Sequence, residues 1–168
     1  RNLGDLNPQD GYRIRPPSGV FNWIGAAGDQ NGDGTPDVLL MHGVGNLLLV
    51  YGVPADEVTD LPLCGSTQTR CLDIPAGTSD PWSPVSPASG VKIKGVATPT
   101  GIISGDFNGD GKDEIAVNVS ANDTAYVLPN GLPAGQTVDL ESGPVPDGTS
   151  KYSGPAGLVS AFGEGPSF

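Results

Sequence analysis

Two stretches, GDQNGDGTPD from Gly28 and GDFNGDGKDE from Gly105, recur at a fixed offset of 77 residues. A chain that repeats itself builds one supersecondary unit more than once, and this limits its architecture more than any overall property does. The likeness runs on without a gap, DVLLMHG falling on EIAVNVS and NLLLVYG from Asn46 on TAYVLPN from Thr124. Each copy reads as loop, strand, turn, strand, with VGN around Gly45 and AND around Asn122 as the turns. The runs VLLM and LLLVY are apolar at nearly every position rather than alternating, which suits strands buried on both faces. Upstream lie DGYRI from Asp10 and SGVKI from Ser89, each followed by a variable connection and then by WIGAAGD or GIISGD. Four strands per unit make the blade of a β-propeller. A weaker third echo, DGTSKYSGPAGLVSAFGEG from Asp147, ends without the acidic triplet.

Composition excludes the competing classes. Gly 26 and Pro 17 leave hardly any stretch long enough for a helix, since each costs roughly 1 or 3 kcal/mol in a helix interior. The expected fold class is therefore all-β. Asp and Glu outnumber Lys and Arg by 19 to 8, and the resulting charge of −11 repels nucleic acid and anionic membrane surfaces. No apolar run is long enough to insert in a membrane. Cys64 and Cys71, the only cysteines, can close a small loop as a disulfide or stand as two buried thiols. A zinc site lacks ligands, because the only histidine, His42, is remote in sequence.

The loops carry the chemistry. Asp29, Asn31 and Asp33 stand at positions 1, 3 and 5 with Gly34 at 6, and Asp106, Asn108, Asp110 and Gly111 repeat the pattern. Side-chain oxygens at alternate positions suit a hard cation, the glycine permits the tight turn, and the carbonyl of Thr35 or Lys112 adds a ligand. An EF-hand needs Glu at position 12, where Leu40 and Val117 stand, and a helix where strands follow here. Instead an acid closes the loop at position 9: Asp37 in the first copy, and in the second Glu114 or its neighbour Asp113.

GDxNGDGxxD followed by a strand hairpin resembles the FG-GAP repeats of integrin α-subunit heads and of secreted microbial proteins. The resemblance covers most of the chain, including the LPAGQTVDLES tail and the NPQDGYRI approach. It implies FG-GAP-type propeller blades, about two of four strands plus the edge of a third, open rather than closed on their own. It also implies two calcium sites, at Asp29, Asn31, Asp33 and Asp37 and at Asp106, Asn108, Asp110 and Glu114. The chain then divides into a first repeat over 1–62, a Cys-, Pro- and Ser-rich connection over 63–88, a second repeat over 89–146 and a partial, metal-less third over 147–168.

The expected function is a non-enzymatic structural or adhesion module, secreted or on a cell surface, stabilised by calcium and self-associating as a head-to-tail ring or filament. The alternatives are a module that binds a carbohydrate or protein, and the accessory part of a larger secreted protein or enzyme. Because about two blades cannot close a ring, either a longer chain or other copies complete it. No nucleophile motif accompanies His42, so no catalytic residue is expected. Trp23 reads as core, and Trp82 lies in a Pro- and Ser-rich insertion that either covers the fold or offers an aromatic contact. Asn118-Val-Ser and Asn122-Asp-Thr are glycosylation sequons.

Overall fold

The computed structural model describes residues 6–16, 19–42, 45–65, 69–74, 90–96, 101–119 and 124–153. The fold is all-β, and its helical turns among these residues are short 3₁₀ pieces such as Pro8–Asp10 and Val58–Asp60. Among the described residues eleven strands are formed: β1 Arg13–Arg15, β2 Trp23–Gly28, β3 Asp37–Met41, β4 Gly45–Val50, β5 Cys71–Asp73, β6 Gly90–Val96, β7 Ile102–Gly105, β8 Glu114–Val119, β9 Thr124–Leu128, β10 Thr137–Asp139 and β11 Ser150–Ser153. They build open sheets of five, four and two strands, in the orders β10-β6-β4-β3-β2, β11-β9-β8-β7 and β1-β5.

The sheets are out of phase with the sequence repeat. β2, β3 and β4 form an antiparallel meander, but the next strand of their sheet is β6, which the sequence places at the start of the second copy. The tail after the second hairpin then adds β10, parallel to β6, at the edge of that same sheet. The third echo does likewise, with β11 pairing with β9 at the edge of the second sheet. Each approach strand thus belongs to the preceding blade. β1, the counterpart of β6, pairs in parallel with β5 as β6 does with β10, and forms a separate two-stranded ribbon.

The hairpins differ by one residue. Met41 faces Leu47 across the first, whereas Asn118, the counterpart of Met41, faces Ala125, so the repeat offset grows from 77 to 78 at this turn. The ungapped reading is corrected accordingly: the side-chain period of two allows the insertion in a turn but not inside a paired strand.

Two cores sandwich the first sheet, as its unbroken apolar runs require. On one face Leu39, Met41, Leu47, Leu49, Val91 and Ile93 meet Ile115, Val117, Val119, Tyr126 and Leu128 of the second sheet. On the other, Leu40, Leu48 and Val50 meet Leu72 and Ile74, with Tyr12, Ile14 and Leu61 packed around them. Trp23 is partly buried against the larger core, its ring folded over Gly25, where a Cβ would come within 2.3 Å of the indole. Cys64 and Cys71 are bridged, closing a hairpin whose Leu63 pairs with Arg70 and leads straight into β5. Trp82, Asn122, the insertion over 75–89 and the GLVSAFG echo lie outside the described residues.

Candidate metal centres

Both loops leave the end of an edge strand, β2 or β7, and return at the start of the next, with Gly28 paired to Asp37 and Gly105 to Glu114. Asp29 Oδ1 accepts the N–H groups of Gly32 (2.8 Å) and Asp33 (3.1 Å), and its Oδ2 accepts that of Gly34 (2.8 Å). Asp106 does the same with Gly109 (2.7 Å), Asp110 (3.0 Å) and Gly111 (2.9 Å). Asn31 Oδ1 accepts from the Asp33 amide and Asn108 Oδ1 from the Asp110 amide, at 3.0 and 2.8 Å. Each Asn also donates Nδ2 to the Asp two residues on, at 2.7 and 3.1 Å. Asp33 and Asp110 in turn accept the N–H of Thr35 (2.7 Å) and Lys112 (2.9 Å). Gly34 and Gly111 turn the chain at φ of 86° and 88°, which a side chain would oppose. Burial pushes the Asp33 carboxyl up, but the bonds from Asn31 and Thr35 outweigh it and hold the group below the usual range.

The closing acids are buried staples. Asp37 is 2% exposed; its Oδ2 accepts the Gln30 N–H and its Oδ1 the Gly52 N–H, both at 2.7 Å, tying the loop to the exit of β4. Burial raises its carboxyl above the ordinary range, and the charges of Asp33 and Asp29 add to that against the lowering by the two N–H groups. Glu114 holds the corresponding place at 3% exposed, accepting the N–H of Phe107 (3.0 Å) and Asn108 (3.3 Å) at Oε2. Its Oε1 accepts Asn108 Nδ2 (3.0 Å) and Asn130 Nδ2 (3.1 Å). Once the longer hairpin is allowed for, Asn130 is the counterpart of Gly52. A backbone donor in one blade is replaced by a side-chain donor in the other, and the additional methylene of Glu114 goes with that exchange.

Asp113 is turned elsewhere. A Cβ on Gly28 would lie 2.0 Å from its Oδ2, so this side chain fills the space left by a glycine of the first blade. Its carbonyl accepts Gln30 Nε2 at 2.6 Å, while the same amide reaches Ala27 O at 2.7 Å. Gln30, 1% exposed, also accepts the Gly131 N–H at 2.7 Å, so one residue ties the first loop to the second blade. Its sequence signal is that the copies differ where the loops otherwise agree, Gln30 against Phe107. Tyr51 makes a similar tie, donating its hydroxyl to Leu132 O, and burial together with the charge of Asp37 pushes its pKa to about 12.

Apart from the bonds to the closing acid, the two loops agree bond for bond, and their ligand atoms are oxygens suited to a hard cation. Among the described residues, no three His, Cys, Asp or Glu side chains gather closely enough to grip a metal alone. A cation in either loop would therefore have to draw on Asn31 or Asn108 and on the carbonyl of Thr35 or Lys112 as well. A half-turn of either Asn amide puts an oxygen beside the carboxylate it now faces with nitrogen.

The FG-GAP repeat family model matches residues 98–136, which take in β7, the whole second loop, its hairpin and the following turn. The chain carries an FG-GAP repeat. The first loop, outside the matched span, has the same hydrogen bonds from its opening Asp and leads into a paired hairpin of its own. No curated protein and no solved structure matches the chain.

Asn118 lies within β8, half-buried, with Oδ1 shut away from solvent. His42 stands beyond β3, its ring edge-on to Phe21 at 6.5 Å between centroids. Among the described residues, no helix is long and apolar enough to cross a membrane.

Proposed function

We propose that this FG-GAP repeat protein is a non-catalytic scaffold of the secreted or cell-surface kind, with one calcium ion held in each loop as a staple. The observation that carries this reading is the duplicated loop, in which Asp29, Asn31 and Asp33 repeat the arrangement of Asp106, Asn108 and Asp110. Crowded acidic oxygens on a fixed turn lose their mutual repulsion when a cation enters, so binding stabilises the folded state. Asp37 and Glu114 support the loops from beneath. The Cys64–Cys71 bridge fits an oxidising compartment. Adhesion and assembly follow from the same reading, since a pair of blades leaves a sheet face for further strands of its own chain or of another copy to cover.

Calorimetric titration with calcium and thermal melts in calcium and in EGTA test it. Two binding events are expected, each adding about 2.7 kcal/mol at a free calcium one hundred times Kd. The D29N/D106N chain is expected to lose both the heat and the melting shift. An absence of binding heat together with identical melts in calcium and chelator overturns the calcium staple.

A further inference from the structure

Gln30 stands between two candidate ligands of the first loop, Asp29 and Asn31, yet its side chain leaves that loop. Its backbone N–H is held by the closing acid of its own loop, Asp37 Oδ2, at 2.7 Å. Its Nε2 donates at 2.6 Å to the carbonyl of Asp113, the residue directly before the closing acid of the other loop. Its carbonyl accepts at 2.7 Å the N–H of Gly131, the residue directly after Asn130, whose Nδ2 holds Glu114 Oε1 at 3.1 Å. Both partners in the staple of the second loop are thus flanked by residues bonded to Gln30. At 1% exposed, Gln30 makes these bonds out of reach of water, where their loss is costly. Two further contacts close the same seam: the Asp113 side chain fills the space over Gly28, and Ser104 Oγ of β7 donates to Ala26 O of β2 at 2.9 Å. In the second loop the counterpart Phe107 keeps the bond from its backbone N–H to the closing acid, but its ring is 48% exposed and has no donor to offer. The wiring therefore belongs to this pair of loops.

We propose, resting on the calcium reading above, that the two loops bind calcium cooperatively and that Gln30 couples them as a positioning residue. With a cation in the first loop, Asp29, Asn31 and Asp33 are held together and Gln30 is fixed between them. Asp113 and Gly131 are then held where Glu114 and Asn130 must meet. The second loop starts from a more ordered state and takes its ion more tightly. By linkage the effect is equal in the reverse order. The Asp113 carboxylate belongs to the second loop by sequence and lies against Gly28 at the foot of the first, so its charge offsets the repulsion between two bound ions.

Calcium titration calorimetry on the full chain, Q30M and D106N, with amide hydrogen exchange, tests this. Q30M keeps the approximate volume and the backbone bonds of Gln30 but removes the donor to Asp113. The parent is expected to take its second ion about tenfold more tightly than its first, and Q30M to bind two ions within about twofold of the ratio for independent sites. In D106N, which keeps the first ion alone, calcium is expected to slow exchange of the Phe107, Asn108 and Gly131 amides several-fold, a readout that leaves Gln30 untouched. Two independent ions in the parent, with those amides unmoved by calcium in D106N, overturn the coupling and leave the calcium staple standing. Parent-like cooperativity in Q30M overturns the role of Gln30. A chain that takes up no calcium overturns staple and coupling together.

Discussion

Shortening Glu114 to Asp removes one methylene, about 1.5 Å of reach. With Oε2 kept on Phe107 and Asn108, the contact of 3.1 Å to Asn130 opens beyond any hydrogen bond. A buried carboxylate oxygen that loses a charge-assisted partner costs roughly 1.5–3 kcal/mol, part of it regained by a shift of the side chain. We expect E114D to lose about 2 kcal/mol, equal to roughly 4–8 °C in Tm for a chain of this size. N130G alone removes the same bond from the other side. E114D/N130G instead rebuilds the staple of the first blade, an Asp facing a glycine N–H as Asp37 faces Gly52. The double-mutant cycle should therefore show a favourable coupling of at least about 1 kcal/mol. Urea unfolding in EGTA, with the disulfide oxidised, measures it apart from any metal. An E114D chain within about 0.5 kcal/mol of its parent, or strictly additive single changes, would refute the exchange of donors between the blades.

Three other outcomes are expected. G28A drives a Cβ to 2.0 Å from Asp113 Oδ2 at a φ of 70°, and should lower stability by at least about 2 kcal/mol in urea unfolding, with D113A restoring only the steric share. Replacing both cysteines by serine opens the short loop closed by Cys64 and Cys71, with an expected loss of about 2.5 kcal/mol in the same assay. The hydrogen bond and charge of Arg15, on both Asp73 oxygens at 2.5 and 2.6 Å, hold that carboxyl below its usual range. Its stabilising contribution is therefore present above about pH 4 and is lost as pH falls through the folded value; acid melts of D73N should lack that step, and identical acid profiles would count against it.

The loops and hairpins were legible because their determinants are local. Asp29, Gly34 and the alternating acids fix a turn through bonds between residues at most five apart. Strand partners were not legible in the same way. β6 reads as the start of the second copy, yet it bonds to β4, since pairing is decided by which apolar face has room rather than by sequence neighbourhood. The one-residue insertion between β8 and β9 is present in the sequence, since Asn46 and Thr124 stand 78 apart where Gly28 and Gly105 stand 77 apart, and the register of the two hairpins places it in the turn. Spacing marks Asp37 and Glu114 as position-9 acids, but their buried bonds to Gly52 and Asn130 depend on where a second strand ends, which no local spacing reveals. The tie made by Gln30 is hidden from local spacing for the same reason, its partners Asp113 and Gly131 lying far along the chain.

The displacement of strands by one repeat also sets a timetable. On the ribosome the hairpin of β3 and β4 can form early, but its sheet remains unfinished until β6 and then β10 have emerged. The first blade therefore holds an unsealed edge through synthesis of the whole second one, and such edges are where nascent β-chains pair wrongly. The first loop and the Cys64–Cys71 hairpin need no strand beyond β5 to close, so they are complete before β6 and β10 are made. A gene cut at the sequence repeat would orphan β6. A viable cut has to follow Asp139, where the first sheet is complete.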